Sequence, residues 1–341
     1  MTDLDHTMTK IAVIGGGSWG TALAIAMTRS RAAHAVSLWV HEKEICDSIR
    51  AKRENEIFLP GFEIPAAVEP TSDIAAAVEG ASIILGVIPS AHARATYERI
   101  LPHAAPGVAF VSATKGLDHG NLKRMTEVIS EVCAPKFAAR VAALSGPSFA
   151  KEVAKGDPTA VVIASPDQEL ARMVQEQFSG PTFRLYANDD VVGVELGGAV
   201  KNIIAIASGV CVGLGFGHNT IAALITRGLA EMTRLCMAMG GRRETMAGLA
   251  GMGDLVLTCT GGLSRNRSVG VELGKGRKLA EIVGSMRMVA EGVGTTAAAM
   301  KLARKLGVEM PITEQMHALL YENRPPLEAI RELMDRRLKQ E

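Results

Sequence analysis

Aromatic side chains are scarce in this chain: only 4% of its 341 residues are Phe, Tyr or Trp. Stacking platforms for nucleic-acid bases are hard to build from so few rings. Charge of one sign is also missing. The 37 basic and 36 acidic residues leave a formal net charge of +1, which argues against a nucleic-acid footprint. The five cysteines, Cys46, Cys133, Cys211, Cys236 and Cys259, are odd in number and contain no C-x-x-C pair. That spacing supports neither a zinc site nor a disulfide framework, so no metal is expected, and reduced thiols of a cytoplasmic protein fit better. Internal repeats and low-complexity segments are lacking. An uninterrupted membrane-length run is lacking too. Residues 191–217 are the most apolar stretch, but Glu195, Lys201 and Asn202 interrupt it, and the remainder is shorter than the ~20 residues a span needs. A helix buried inside a domain is expected there, and no integral membrane segment. Residues 1–7 are polar and hold no apolar core of a signal peptide; a disordered tail is expected over 1–7.

What is present is a large core. Hydrophobic residues make up 48% of the chain and charged residues 21%, and the length suits two domains.

One stretch organises the first half. Ile11 to Ile14 is a short, β-branched, apolar run that reads as a buried parallel strand. Gly15, Gly17 and Gly20 follow as G-x-G-x-x-G, with Ser18 and Trp19 inside the motif, and Thr21 to Met27 reads as a helix. Each glycine has a physical task. Gly15 permits the tight turn, Gly17 lets a pyrophosphate approach the backbone, and Gly20 lets the helix pack close to the strand. The helix N-terminus then offers free N–H groups to phosphate. Alone the motif is weak; between a strand and a helix it predicts dinucleotide binding.

Further strands are expected at 36–40, 82–88, 108–112, 141–144, 159–164 and 182–186, with helices at 74–78, 95–101, 125–133 and 168–178 between them. The stretch 55–65 reads as a loop. Alternation of this kind predicts a mostly parallel, doubly wound sheet. From Val191 the pattern turns wholly helical, with helices expected at 221–239, 294–306, 312–321 and 327–338. The fold class is thus α/β plus all-α: a Rossmann-type dinucleotide-binding domain over 8–190, then a helical catalytic and substrate domain over 191–341.

The candidate chemistry sits on both halves. Lys201 lies in an apolar helical stretch, where burial lowers a lysine pKa and makes a proton donor and acceptor usable near neutrality. Snorkelling of Lys201 to the surface is the alternative. Asn202 beside it could bind a ligand by hydrogen bonds. Asp254 follows the glycine-rich Gly251-Met252-Gly253 and could orient a lysine or a substrate hydroxyl. Ser264-Arg265-Asn266 combines a hydroxyl, a guanidinium fork and an amide before a helix, which suits a phosphate; a helix start with a solvated arginine fits as well. Lys115 and Gly146-Pro147-Ser148 end sheet strands, where open α/β sheets place ligands, although each alone reads equally as a turn. Glu291 is a weaker candidate. The second strand ends in His41-Glu42-Lys43, without a carboxylate set directly on the ribose. A cationic or neutral group suits a 2′-phosphate, and a solvated loop histidine fits the position too.

Taken together in order, Gly15 to Ala24, Thr114 to Leu117, Ser145 to Ala150, Gly198 to Asn202, Gly253 to Leu255 and Ser264 to Asn266 resemble bacterial NAD(P)-dependent sn-glycerol-3-phosphate dehydrogenases over nearly the whole chain. The resemblance implies a 6-phosphogluconate-dehydrogenase-like fold. It also implies reversible reduction of dihydroxyacetone phosphate to sn-glycerol 3-phosphate with NADPH or NADH, feeding phospholipid synthesis in the cytoplasm of a bacterium, by a homodimer. The catalytic lysine then falls on Lys201. Substrate-binding positions fall on Lys115, Gly146, Ser148, Asp254, Ser264, Arg265 and Asn266. Cofactor positions fall on Ser18, Trp19, Lys115, Ala150, Arg265, Val289 and Glu291, with His41 near the adenosine ribose. Two alternatives stand beside this. A ketopantoate reductase-like enzyme would share the two domains and a lysine, without reason for the Ser264-Arg265-Asn266 set. A non-catalytic dinucleotide sensor would not need a buried lysine.

Overall fold

A computed structural model describes residues 9–286 and 289–337 of the chain. The tail expected over 1–7, and the end of the last expected helix at Leu338, lie outside the described residues. The first half alternates β1 (Thr9–Ile14), α1 (Ser18–Met27), β2 (His34–Trp39) and α2 (Lys43–Lys52). A hairpin of β3 (Glu54–Asn55) and β4 (Leu59–Glu63) follows, then β5 (Val68–Thr71), α3 (Ile74–Val78), β6 (Ile83–Gly86) and α4 (Ser90–Ile100). β7 (Ala109–Ser112), α5 (Met125–Cys133), β8 (Arg140–Ser145), α6 (Ala150–Lys155), β9 (Thr159–Ala164), α7 (Gln168–Phe178) and β10 (Phe183–Asn188) complete it. The second half is helical: α8 (Val191–Gly213), α9 (His218–Ala238), α10 (Arg243–Ala247), a π-turn over Leu249–Gly253, α11 (Asp254–Thr260), α12 (Arg265–Gly274), α13 (Leu279–Gly284), α14 (Glu291–Leu306), α15 (Pro311–Tyr321) and α16 (Pro326–Met334).

Eight strands form one sheet in the order β10-β9-β8-β7-β6-β1-β2-β5. From β5 to β8 all pairs are parallel. Ile11 and Val13 face one helical layer with α1, α2, α6 and α7. Ala12 and Ile14 face the other, with α3, α4 and α5. Burial on both faces explains why β1 is an unbroken apolar run instead of an alternating one. The strand order reverses between β1 and β6, so the loops after them, at Gly15 and at Pro89-Ser90, flank the crevice where open sheets bind ligands.

The sheet is mostly parallel, as expected, with β9 antiparallel to β8. Only a turn at Gly146 and the short α6 lie between them, so the chain enters β9 from the carboxyl edge it has just left. The stretch 55–65, expected as a loop, carries the β3–β4 hairpin, and β5 was not expected at all. Asp254 follows the glycine-rich stretch as expected; that stretch, Leu249–Gly253, is a π-helical turn running directly into α11.

α8 is long and apolar enough to cross a membrane by length and composition, and 89% of its most apolar window is buried inside the molecule. Its glycines set its packing. A Cβ on Gly209 would sit 2.8 Å from the Gly270 Cα, and one on Gly213 would sit 2.9 Å from the Gly274 Cα. The two G-x-x-x-G pairs therefore let α8 and α12 touch backbone to backbone. That close approach carries the N-terminus of α12, with Ser264 to Asn266, alongside the middle of α8.

The helical half docks onto the sheet through carboxylates. Asp190 caps α8 by accepting from Gly193 N at 2.8 Å and also accepts from Arg242 N at 2.8 Å. Glu195 accepts from Arg124 at 2.7 Å and from Thr126 N and Oγ1 at 2.8 and 2.6 Å. Burial pushes the Glu195 carboxyl pKa up, and Arg124 opposes that shift.

Candidate active site

The dinucleotide turn is built as its glycines require. Gly15 has φ +124°, and a Cβ there would lie 2.5 Å from the Val87 carbonyl oxygen. A Cβ on Gly20 would run into the Gly15 carbonyl oxygen, whereas Gly17 faces open space. α1 has no side-chain cap, so its first-turn N–H groups and positive dipole end remain available to an anion. Asn55 braces the turn from the hairpin, donating to Gly16 O and Thr21 Oγ1, both at 2.8 Å. The Trp19 indole Nε1 is buried without a partner among the described residues. These features fit a pyrophosphate-bearing dinucleotide. At the end of β2, His41 is exposed, its ring 5.6 Å from that of Trp39. Lys43 turns away to pair with Asp47 at 2.5 Å.

Lys201 does not snorkel. It is 5% exposed, and its Nζ donates to Asp254 Oδ1 at 2.5 Å and Thr258 Oγ1 at 2.7 Å. The other Asp254 oxygen accepts from Lys115 Nζ at 2.8 Å. Lys115 also donates to Gly146 O at 2.9 Å and to Ser148 Oγ at 3.3 Å, and its Nζ lies 6.0 Å from the centre of the Trp19 ring. One carboxylate thus holds two ammonium groups, one from α8 and one from the carboxyl end of β7, at the rim of the dinucleotide turn. Burial pushes the Lys201 pKa down to about 7; Asp254 opposes the shift and Lys115 assists it. A buried charge is tolerated here because it is paired with Asp254 and also hydrogen-bonded to Thr258. Gly198 keeps the approach open, since a Cβ there would sit 2.5 Å from Ser145 Oγ.

The expected phosphate set is arranged differently from a simple fork. Ser264 Oγ caps α12, accepting from Arg267 N at 3.2 Å. Arg265 is exposed and donates to the Val289 carbonyl at 3.0 Å. Asn266 points inward: it donates to Asn202 Oδ1 at 2.9 Å and accepts from Gly292 N at 2.9 Å. Asn202 Nδ2 in turn reaches Lys115 O at 3.3 Å. Arg265, the second N–H of Asn266 and the Ser264 O–H are donors that an anion could use. Glu291 accepts from Ser90 N at 3.1 Å and Ser90 Oγ at 2.6 Å. Ala150 opens α6 beside the Ser148 turn.

Sequence reasoning missed Thr258 and Asn55, and placed Ser90 only at the strand edge where such sheets bind ligands. Thr258 was findable as the i+4 neighbour of Asp254 had α11 been recognised as a helix. The contacts of Ser90 and Asn55 had no local signal, because their partners are remote in sequence.

Comparisons with known proteins decide the family. A family model described as NAD-dependent glycerol-3-phosphate dehydrogenase N-terminus matches residues 10–171, and the corresponding C-terminus model matches residues 190–331. The chain belongs to the NAD-dependent glycerol-3-phosphate dehydrogenase family. It is 63% identical over 330 residues to glycerol-3-phosphate dehydrogenase [NAD(P)+] of Koribacter versatilis, covering 96% of this chain and 98% of that one. It is 55% identical to the enzyme of the same name from Geobacter sp., with 97% and 98% coverage. A crystal structure of glycerol-3-phosphate dehydrogenase from Coxiella burnetii superposes with a TM-score of 0.92 at 41% identity, covering 96% of this chain and 99% of that one. A ketopantoate reductase from Ralstonia eutropha shares the fold, with a TM-score of 0.59 at 16% identity.

Proposed function

We propose that this chain is an NAD(P)-dependent glycerol-3-phosphate dehydrogenase, interconverting dihydroxyacetone phosphate and sn-glycerol 3-phosphate. The observation that carries this is the buried Lys201–Asp254–Lys115 arrangement at the carboxyl edge of the sheet, beside a turn shaped for a dinucleotide. A bound nicotinamide coenzyme would supply or accept the hydride. Lys201 as ammonium protonates the developing alkoxide oxygen and offsets its charge. Asp254 keeps the Lys201 and Lys115 ammonium groups at fixed separation, so the reacting oxygen meets donors that need no rearrangement. Arg265 and Asn266 at the start of α12 hold the substrate phosphate; Val289, Glu291, Ser18, Trp19, Ala150 and His41 line the coenzyme path. With the division set at 190/191, both tasks draw on both halves: Lys115 reaches the reacting end from the sheet half, and Val289 and Glu291 reach the coenzyme path from the helical half.

The test is a coenzyme-oxidation assay with NADPH and NADH side by side, offering dihydroxyacetone phosphate, unphosphorylated dihydroxyacetone and ketopantoate. Turnover of the phosphorylated ketone with both coenzymes is expected, because no carboxylate ends β2 to repel a 2′-phosphate. A preference for NADH above about a hundredfold, about 2.7 kcal/mol, would mean that Glu42 faces the ribose. Turnover of ketopantoate alone would move the enzyme to another specificity, and no turnover would favour a sensor. Homodimer formation, a cytoplasmic location and supply of glycerol 3-phosphate to phospholipid synthesis rest on the family resemblance; light scattering on the purified protein tests the first.

A further inference from the structure

Two helices of the sheet domain, α4 and α5, have their N-termini met by carboxylates from the helical half. Glu195 meets α5 at Thr126, and Glu291 meets α4 at Ser90. The two contacts differ in kind. Glu195 is buried and ion-paired to Arg124, so opening it leaves a charge stranded in the interior. Glu291 is half-buried, accepts from the Ser90 N–H and O–H, and lies at the rim of the crevice between β1 and β6. The N-cap position of α4 is Pro89, which offers no side-chain cap, so Glu291 supplies the cap from 201 residues away. A carboxylate at that helix end is favoured by the dipole as well. The next residue is equally engaged: Gly292 N donates to Asn266 Oδ1, and the Val289 carbonyl accepts from Arg265. Residues 289–292 therefore join the phosphate-binding end of α12 to the coenzyme-binding edge of the sheet.

We infer that Ser90 is a positioning residue: by holding Glu291 it closes a clasp across the cleft that couples coenzyme binding to substrate-phosphate binding through Asn266 and Arg265. The inference rests on the coenzyme and substrate assigned above. Binding energy shared between two sites in this way is reciprocal, so it can be read from either ligand.

The experiment measures the Kd of sn-glycerol 3-phosphate by calorimetry on the free enzyme and on the NADPH-saturated enzyme, a pair that cannot turn over. In the wild type NADPH should tighten the phosphate ligand about fivefold or more. Ser90→Ala should cut that tightening to about twofold or less, with affinity of the phosphate ligand for the free enzyme unchanged; Ser90→Thr should restore it. Gly116→Ala is the second variant. Its Cβ would sit 2.6 Å from Ser90 Oγ and 2.9 Å from Glu291 Oε2, parting the pair without deleting a donor, and it should give the same loss. Equal tightening in Ser90→Ala and wild type would overturn the inference, as would no tightening in the wild type. Failure of the proposed function is distinguishable: if neither ligand binds, the function and the clasp fall together, whereas binding of both ligands without coupling overturns the clasp alone.

Discussion

Lys201 and Glu231 are both buried in the helical half, and both titrate near neutrality in this fold, yet they do opposite things. Burial pulls the lysine down to about 7 and the glutamate up to about 7. Glu231 is 1% exposed on α9 and accepts from Ile312 N at 2.5 Å and from Thr313 N and Oγ1, both at 3.2 Å. It caps α15, whose N-cap residue Met310 has no side-chain acceptor. Lys201 shares its acceptor with Lys115 at the edge of the sheet. A shifted pKa is thus no signature of catalysis by itself. What separates the two is direction: one proton faces the crevice at β1 and β6, the other is sealed between two helices.

The sharpest way to break that contrast is to remove each group. Lys201→Ala should lower kcat by ~10²–10⁴, about 3–5 kcal/mol of barrier, while coenzyme titration is unchanged; a loss under about threefold would refute the assignment. Arg265→Ala should come next. A charge-assisted hydrogen bond is worth roughly 1.5–3 kcal/mol, so KM for dihydroxyacetone phosphate should rise at least about tenfold. Dihydroxyacetone should be poor for both proteins.

The pH profile sharpens the comparison further. Reduction of the ketone needs Lys201 protonated, so its rate should fall as pH rises through about 7, by about tenfold per unit above that point. Oxidation of the alcohol needs the neutral amine and should show the opposite limb. Asp254→Asn removes the group that opposes the downward shift, so the reduction limb should move to lower pH. A limb that stays in place would show that Asp254 does not set this titration.

The smallest effect on turnover is expected from Glu231→Gln, which should leave kcat within about twofold, because the amide oxygen still accepts from α15. Its signature is in stability. Burial raises the folded pKa above a glutamate's ordinary value of 4.5, so the folded state binds more protons between the two values. Wild-type stability should therefore fall as pH rises from about 4.5 to about 7, and the variant should lose that component of the slope. Urea unfolding at several pH values measures it.

The first βαβ unit was legible because everything it needs is local. A run of β-branched residues, three glycines at set spacing and a helix fall within consecutive residues, and burial on both faces makes the strand apolar without interruption. Lys201 stood out for the same reason, as a cation inside an apolar helical period. The hairpin at 54–63 was missed because Pro60-Gly61 reads as a loop unless its remote partner, the Gly16 turn braced by Asn55, is known. The arrangement of Ser264, Arg265 and Asn266 was likewise unreadable: whether each reaches a ligand or a neighbour depends on how closely α12 lies on α8.

By itself, then, the sequence determined the secondary structure around the dinucleotide turn, the change from sheet to helices near Val191, and the placing of one lysine inside an apolar helix. Those depend on composition, period and spacing over short distances. The tertiary structure alone decided that β9 runs against β8, that Asp254 holds Lys115 and Lys201 together across 139 and 53 residues, that Thr258 completes the lysine's hydrogen bonds, and that Ser90 receives Glu291. Each is a contact between side chains that only chain reversal brings within about 3 Å, and a hydrogen bond weakens steeply with misalignment. Local pattern carries no information on a distance that fine between segments so far apart.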